Sequence, residues 1–229
     1  MTTPADPPIR DAATIILVRR GPDGPAVLMG MRGAAAVFMS SKYVFPGGAV
    51  DPEDAALALA RPITEPNLSR LTSEPRDGSD IAPQTMAAAA LRELAEETGL
   101  LIGRPGKGCP LPGFGPAGLI PDAAPLHYVF RAITPPGRPR RFDARFFIAD
   151  AREIAGDPDD FSAACDELSH LHWVPLAEAR ALNLPFITEV VLAEVAELIA
   201  ECGEGALVPP DTVPFFDNRT PNPRFSQIS

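Results

Sequence analysis

Three glutamates lie close together in residues 92–100, which read RELAEETGL. Glu93, Glu96 and Glu97 are spaced i, i+3 and i+4, so on an α-helix they span an arc of about 100°. Like charges at this spacing repel one another, and a hard divalent cation relieves the repulsion because Mg²⁺ and Mn²⁺ prefer oxygen ligands. The glutamates therefore predict a site for Mg²⁺ or Mn²⁺, and the alternative is a solvated acidic face.

The helix that carries these glutamates is strongly marked in the sequence. Residues at i, i+3, i+4, i+7 and i+11 form a stripe suited to burial, namely Ala87, Ala90, Leu91, Leu94 and Thr98. This pattern predicts a helix over 85–98 that directs Leu94 into the core. Gly99 follows as a residue that can adopt the left-handed conformation common at helix ends.

A second motif, FPGG at residues 45–48, follows a short predicted strand at 42–45. Together, FPGG and RELAEETGL resemble the Nudix box. That pattern has a glycine, five residues, a glutamate, seven residues and then R-E-aliphatic-x-E-E-x-G-aliphatic. The second half of this chain's motif matches at every specified position, so the chain resembles the Nudix hydrolases.

The first half of the box departs from the pattern. Counted from Gly48, the acidic position falls on Asp54, and 37 residues separate Asp54 from Arg92 where the pattern has seven. Counting back from Arg92 gives Gln84 instead. An insertion at about 55–83 therefore interrupts the box. Residues 61–83 lack periodicity, which predicts a long loop, and we expect the insertion to act as a lid or a dimer contact.

Residues 38–51, FMSSKYVFPGGAVD, resemble a narrower group of Nudix enzymes related to peroxisomal coenzyme A diphosphatases. Those proteins also carry an insertion at this point, and ITPP at 133–136 and RRFDARFF at 140–147 are similar to theirs. This resemblance implies coenzyme A or acyl-CoA as substrate. A second hypothesis keeps the same chemistry and has ADP-ribose or a dinucleotide as the substrate. A hypothesis of another class is a non-catalytic module that senses a nucleotide.

The resemblance to Nudix hydrolases implies that metal-activated water attacks phosphorus in a nucleoside diphosphate linked to a second group. Glu93, Glu96 and Glu97 would then coordinate the metal. The backbone carbonyl of Gly48 would add a ligand, and Gly47 would contact the substrate. The intact glutamates argue against the sensing module.

Arg92 and Glu167 complete the predicted catalytic set. Arg92 is expected to orient a glutamate, with an ordinary intrahelical ion pair as the alternative. Glu167 precedes Trp173 in a loop from which many Nudix enzymes present a further ligand or a general base, and a solvated loop acid is the alternative. His170 and His172 are expected to have structural roles.

Basic residues are the candidates for binding substrate phosphates. Arg138, Arg140 and Arg141 cluster between two predicted strands, and guanidinium groups pair well with oxygens such as those of the 3′-phosphate of coenzyme A. Arg32, after the second predicted strand, is a further candidate. The alternative for the cluster is a solvated basic turn.

Composition narrows the class of protein. The net charge of −10 argues against a nucleic-acid-binding surface, but it leaves a phosphate-bearing small molecule open because bound cations change the local field. Three separated cysteines indicate neither a disulfide framework nor a cysteine metal site, so we expect a cytoplasmic protein. No apolar run predicts a signal peptide or a membrane span, and a homodimer is possible.

The predicted elements alternate along the chain. Strands are predicted at 13–19, 26–31, 42–45, 127–134, 144–149 and 173–174. Helices are predicted at 51–60, 85–98, 176–182 and 187–200. This order predicts an α/β (α+β) fold with a mixed sheet between helices, as in the Nudix α/β/α sandwich. We expect a single Nudix domain over 1–205 and a Pro-rich C-terminal tail at 206–229.

Overall fold

The protein is described here from a computed structural model that covers residues 6–33 and 39–229. Phe38, the first residue of the coenzyme A diphosphatase-like motif, lies outside these ranges. The strands are β1 (Ile9–Gly21), β2 (Gly24–Arg32), β3 (Tyr43–Val44), β4 (Gly47–Ala49), β5 (Gly103–Pro105), β6 (Leu119–Pro121), β7 (His127–Ile133), β8 (Arg141–Asp150), β9 (Leu168–Pro175), β10 (Val213–Asp217) and β11 (Arg224–Ile228). The helices are α1 (Asn67–Thr72), α2 (Pro83–Thr98), α3 (Phe114–Ala117), α4 (Leu176–Ala179) and α5 (Phe186–Cys202).

A large mixed sheet forms the centre of the described part of the chain. Its continuous order is β11-β10-β7-β8-β1-β2-β3, with β4 paired to β1 and β9 paired to β2. β1 runs parallel to β8, and β10 runs parallel to β7, whereas the other pairs in this sheet are antiparallel. A separate antiparallel pair joins β5 to β6.

β1 is the strand on which the sheet is organised. Ile15 and Leu17 pack into the core beneath α2, and Ile16 and Val18 pack into the core beneath α5. Both faces of β1 are therefore buried, which explains why its sequence is a continuous apolar run without polar alternation. β1 and β2 form an antiparallel hairpin, with Gly21 opposite Gly24.

Helices cover the sheet on both sides. α2 buries Ala87, Leu91 and Leu94 against one face, and α5 buries residues such as Val191 and Val195 against the other. This arrangement confirms the predicted fold class of a mixed sheet between helices. Among the residues that the structure describes, none of the helices has the length and apolar character that crossing a membrane would require.

α2 ends where the sequence predicts. Gly99 adopts a left-handed conformation with φ of 77°, and its N–H donates to the carbonyl of Ala95. A Cβ atom at Gly99 would lie 3.0 Å from the Cβ of Ala163, so the glycine also permits close packing. The glutamates are thereby fixed in the last turns of the helix.

The helix predicted at 51–60 is wrong beyond its first turn. The structure has a short 3₁₀ helix at Pro52–Ala56, and Leu57 is extended. The side chain of Asp54 accepts a hydrogen bond of 2.8 Å from the backbone N–H of Asp51. This local contact closes a single turn that the alanine-rich sequence does not continue.

The segment at 55–83 is fastened to the rest of the protein. Ile63 and Leu71 are buried in the core beneath α2. Arg76 forms ion pairs with Asp11 on β1 at 2.7 Å and with Asp143 on β8 at 3.2 Å, and all three side chains are largely buried. Buried contacts of this kind make the segment a fixed part of the fold, unlike a freely moving lid.

The C-terminal residues contribute to the sheet. β10 pairs with β7 and buries Val213 and Phe215, and β11 pairs with β10 at the edge. The division of the chain at residue 205 stays a prediction, and the tail predicted at 206–229 contains these two strands.

Candidate active site

The diglycine motif lies directly beside the last turns of α2. The N–H of Gly47 donates to Oε2 of Glu97 at 2.7 Å. A Cβ atom at Gly48 would lie 2.6 Å from Cδ of Glu93, so only glycine allows that carboxylate to rest against the backbone. A Cβ atom at Gly47 would lie 2.6 Å from the carbonyl oxygen of Ala13 on β1. The structure therefore brings together the two motifs that the sequence separates.

Glu93 and Glu97 are carboxyl groups in an environment that disfavours their charge. Burial raises the pKa of Glu97 to about 8, with the charge of Glu93 adding to the effect and the Gly47 N–H opposing it. Burial also raises the pKa of Glu93 to about 7, although Arg92 acts in the opposite direction. Glu96 is more open, with a side chain that is 39% exposed. Glu96 thus faces solvent, whereas Glu97 is buried.

Arg92 connects the glutamates to Asp54. Its Nη1 donates to Oε1 of Glu93 at 2.8 Å and to Oε2 of Glu96 at 3.0 Å. Its Nε and Nη2 donate to the two carboxylate oxygens of Asp54 at 2.7 and 3.0 Å, and Nη2 also donates to the carbonyl of Ala49. Arg92 therefore contacts two of the three glutamates, as expected for a residue that orients them.

Asp54 is a site residue whose role the sequence left open. Its side chain is buried, and the bidentate pair with Arg92 accounts for both of its carboxylate oxygens. The available signal was its position six residues after Gly48, where the box has an acidic residue. The long separation from Arg92 hid the contact, because no spacing rule relates residues that meet only after the chain has folded.

The donor set fits a hard divalent cation, although its side chains are engaged by other groups in this arrangement. Within the described ranges, no group of three His, Cys, Asp or Glu side chains converges as closely as a metal site requires. The Arg92 guanidinium donates hydrogen bonds to Glu93 and Glu96, and the N–H of Gly47 donates one to Glu97. However, Oε1 of Glu97 is buried and lacks a hydrogen-bond partner among the residues described, which is costly unless a cation satisfies it.

Glu167 and Arg32 lie beside this cluster. β2 ends at Arg32, which pairs in register with Leu168 at the start of β9. The Arg32 guanidinium forms an ion pair with Glu167. The charge of Glu167 contributes to raising the pKa of both Glu93 and Glu97. The structure thus gathers two further predicted site residues near the glutamates.

The arginine cluster before β8 is not brought to the glutamates. Arg141 pairs with Ile9 on β1, whereas Gly48 pairs with Ala13, and this offset corresponds to about 13 Å along the strand. Arg141 is buried and donates to three backbone carbonyls, those of Thr134, Asn218 and Arg219. Its guanidinium is committed to the fold, whereas Arg138 and Arg140 are exposed in the preceding turn.

His170 and His172 lie in an irregular part of β9. His170 has a φ of 52°, close to the point where the register with β2 shifts between Met29 and Met31. Nδ1 of His172 lies 2.7 Å from the carbonyl oxygen of His170, and its ring meets the edge of Tyr43 at 5.8 Å. These contacts involve the ring of His172 and the backbone of His170, and the structural roles expected of the two histidines stay a prediction.

Comparison with known proteins identifies relatives among solved structures. No protein-family model and no curated protein matches the chain. The structure of a Nudix hydrolase from Alicyclobacillus acidocaldarius is 29% identical, covers 90% of this chain and 100% of its own, and has a TM-score of 0.62. RenU, a Nudix hydrolase from M. smegmatis, is 18% identical over 84% of this chain and 86% of its own, with a TM-score of 0.47. An Ap4A hydrolase from C. elegans is 15% identical over 84% of this chain and 99% of its own, with a TM-score of 0.49.

The likeness to the A. acidocaldarius protein extends over nearly the whole of both chains, and it agrees with the Nudix-box residues at the junction of β4 and α2. The chain therefore resembles the Nudix hydrolases in its fold and in the residues of its box, which supports its assignment as an enzyme of this kind. The activity that this assignment supports is hydrolysis of the diphosphate in a nucleoside diphosphate linked to a second group.

Proposed function

We propose that the enzyme depends on Mg²⁺ or Mn²⁺ and cleaves the diphosphate of coenzyme A or acyl-CoA. The observation that carries the metal dependence is the set of three carboxylates beside the diglycine motif, one of them with a buried oxygen that lacks a partner within the described residues. The choice of coenzyme A rests on the motif at 38–51 and on the segments at 133–136 and 140–147, which resemble coenzyme A diphosphatases.

In this proposal Glu93, Glu96 and Glu97 hold the cation, and the carbonyl of Gly48 adds a ligand. When bound, the cation lowers the pKa of a water molecule and offsets the charge of the diphosphate. Arg92 keeps Glu93 and Glu96 in position. The N–H of Gly47 holds Glu97 at one oxygen, which leaves its other oxygen available.

Glu167 and the nearby arginines supply the remaining roles. Glu167 is half-exposed beside the glutamate cluster, so it has access to an attacking water molecule and accepts its proton as a general base. Arg32 binds oxygens of the substrate diphosphate. Arg138 and Arg140 are exposed and take a more distant phosphate of the substrate, whereas the contacts of Arg141 limit it to supporting the turn that carries them.

A turnover screen with product identification tests the proposal. Coenzyme A, acetyl-CoA, ADP-ribose, NADH and diadenosine polyphosphates are each incubated with the enzyme and Mg²⁺ or Mn²⁺. We expect coenzyme A to yield 3′,5′-ADP and 4′-phosphopantetheine, with no turnover in excess chelator. A clear preference for ADP-ribose or a dinucleotide would reassign the substrate. Binding without turnover of any compound would favour a nucleotide-sensing module.

A further inference from the structure

The ion pair between Arg32 and Glu167 joins a proposed phosphate-binding group to the proposed general base. Arg32 is the last residue of β2, and Glu167 immediately precedes β9, which pairs with β2. The side chain of Arg32 is 20% exposed and that of Glu167 is 52% exposed. The guanidinium of Arg32 is therefore mostly buried, whereas the carboxylate of Glu167 is open to solvent.

Arg32 has hydrogen-bonding capacity that this ion pair does not use. A guanidinium group carries five N–H donors, and Nη2 is the atom that contacts Glu167. Its Nε is buried and has no hydrogen-bond partner in the described part of the chain. A buried donor without an acceptor is unfavourable, so an incoming group with several acceptor oxygens would bind there well.

Both residues are close enough to the proposed metal ligands to affect them electrostatically. The charge of Glu167 acts on Glu93 and on Glu97, and the charge of Arg32 acts on Glu97. The backbone N–H of Cys165 donates to the carbonyl of Glu96 at 3.0 Å, which holds the loop that carries Glu167 beside the glutamate helix. Because Arg32 is paired with Glu167, a diphosphate that extends from the glutamates is placed to meet Arg32. It would then compete with Glu167 for the same guanidinium.

We propose that Arg32 restrains Glu167 in the free enzyme and releases it when a substrate phosphate takes its place on the guanidinium. This inference rests on the proposed function. A phosphate group offers two oxygens to the guanidinium fork and carries more negative charge than one carboxylate, so it is the stronger partner. The ion pair with Glu167 is half-exposed and costs little to break. Once released, Glu167 is free to accept a proton from water.

The exchange makes a prediction about binding that needs no turnover. Binding of inorganic pyrophosphate in the presence of Mg²⁺ is measured by calorimetry for the wild-type enzyme, E167Q, R32Q and the double variant. E167Q is expected to bind about two- to fivefold more tightly, because a half-exposed ion pair no longer competes. R32Q is expected to bind about tenfold or more weakly, because charged hydrogen bonds are lost. In the R32Q background, E167Q should have no further effect.

The matched control is D166N, which removes a neighbouring exposed negative charge that makes no contact with Arg32 among the contacts described. Its binding of pyrophosphate should equal that of the wild type. The proposal is overturned if E167Q leaves binding unchanged, or if it tightens binding equally with and without Arg32. The second result would mean general charge repulsion rather than competition for one guanidinium.

Kinetics with the substrate found in the screen show whether Arg32 restrains Glu167 in the free enzyme or holds it in its working position. R32Q should raise KM about tenfold with a much smaller change in kcat, whereas E167Q should lower kcat by about a hundredfold. If R32Q lowers kcat as much as E167Q does, Arg32 holds Glu167 in its working position and the proposal is wrong. Absence of turnover in the wild type would count against the proposed function, and the binding experiment would still decide whether the two groups compete.

Discussion

Glu96 is the most exposed of the three glutamates, so its chemistry can be separated from its contribution to folding. E96Q is expected to lower turnover by about a thousandfold, since loss of an anionic ligand removes several kcal/mol of stabilisation. Its unfolding midpoint should stay close to that of the wild type. Steady-state kinetics and chemical denaturation measure the two effects. E197Q, an exposed charge change on α5, is the control, and near-normal activity of E96Q would place the metal elsewhere.

Asp54 is expected to be a stability residue as much as a site residue. D54N leaves the buried Arg92 guanidinium without its bidentate partner, and breaking a buried ion pair from one side costs about 3 kcal/mol or more. Denaturant unfolding measures the free energy. D51N changes a neighbouring aspartate that is 49% exposed and lies 3.8 Å from Nη2 of Arg92, and it should cost much less because that pair is long and solvent-exposed. Equal effects of the two substitutions would mean that Asp54 is not the anchor of Arg92.

For single residues, the sequence was a better guide to which side chains belong to the site than to the contacts that they make. The glutamates were predicted because they share one helical turn, a local relation that spacing determines. The pairing of Arg32 with Glu167 depends on the register between β2 and β9, which spacing does not reveal. Arg141 was predicted to bind substrate, yet its guanidinium donates to backbone carbonyls, because exposure is a property of the folded chain.

Among the elements, the segment at 55–83 depends on Arg76 for its attachment to β1 and β8. R76Q is expected to cost about 3 kcal/mol, because Asp11 and Asp143 are left in a buried position with a partner removed. Amide hydrogen exchange should quicken at 73–79 more than in α5. D77N, an exposed neutralisation in the same segment, is the control. Unchanged exchange at 73–79 in R76Q would show that other contacts hold the segment, such as the hydrogen bonds from Ser79 to Asp11 and from Arg131 to the carbonyl of Glu74.

The end of β8 provides a pH-dependent contribution to stability. Burial favours the neutral form of Asp150, but hydrogen bonds from Arg152 and Arg20 outweigh it and lower the pKa to about 2 from 3.8. A carboxylate with a lowered pKa stabilises the fold above the unfolded value, and the contribution is lost as the pH falls towards 2. The stability difference between wild type and D150N should therefore shrink between about pH 5 and pH 2 in acid-unfolding measurements. A constant difference would contradict this assignment.

Element prediction succeeded where the pattern is long and local. α2, α5, β1 and β2 were all predicted within a few residues of their ends, because their apolar periodicity is set by burial on one or two faces. The pair β5–β6 and the pair β10–β11 were not predicted. Their strands are only three to five residues long, too short to show an apolar periodicity, so pairing with other strands determines them.

For the whole molecule, the interspersed strands and helices were sufficient to predict a mixed sheet between helices. The two cores on either side of the sheet follow from β1, which is apolar on both faces. The choice among nucleotide substrates is of a different kind. The choice of substrate depends on residues that lie further from the glutamates, and few of those were predicted. A turnover screen therefore decides which substrate the enzyme cleaves.

The pair formed by Asp54 and Arg92 has a topological consequence. This ion pair closes a loop, because the 37 residues between Asp54 and Arg92 begin and end at the same contact. The entropy of closing a loop grows only with the logarithm of its length, so a loop of 37 residues costs little more to close than a shorter one. Residues as far apart in sequence as Asp54 and Arg92 can therefore lie in contact beside the glutamates.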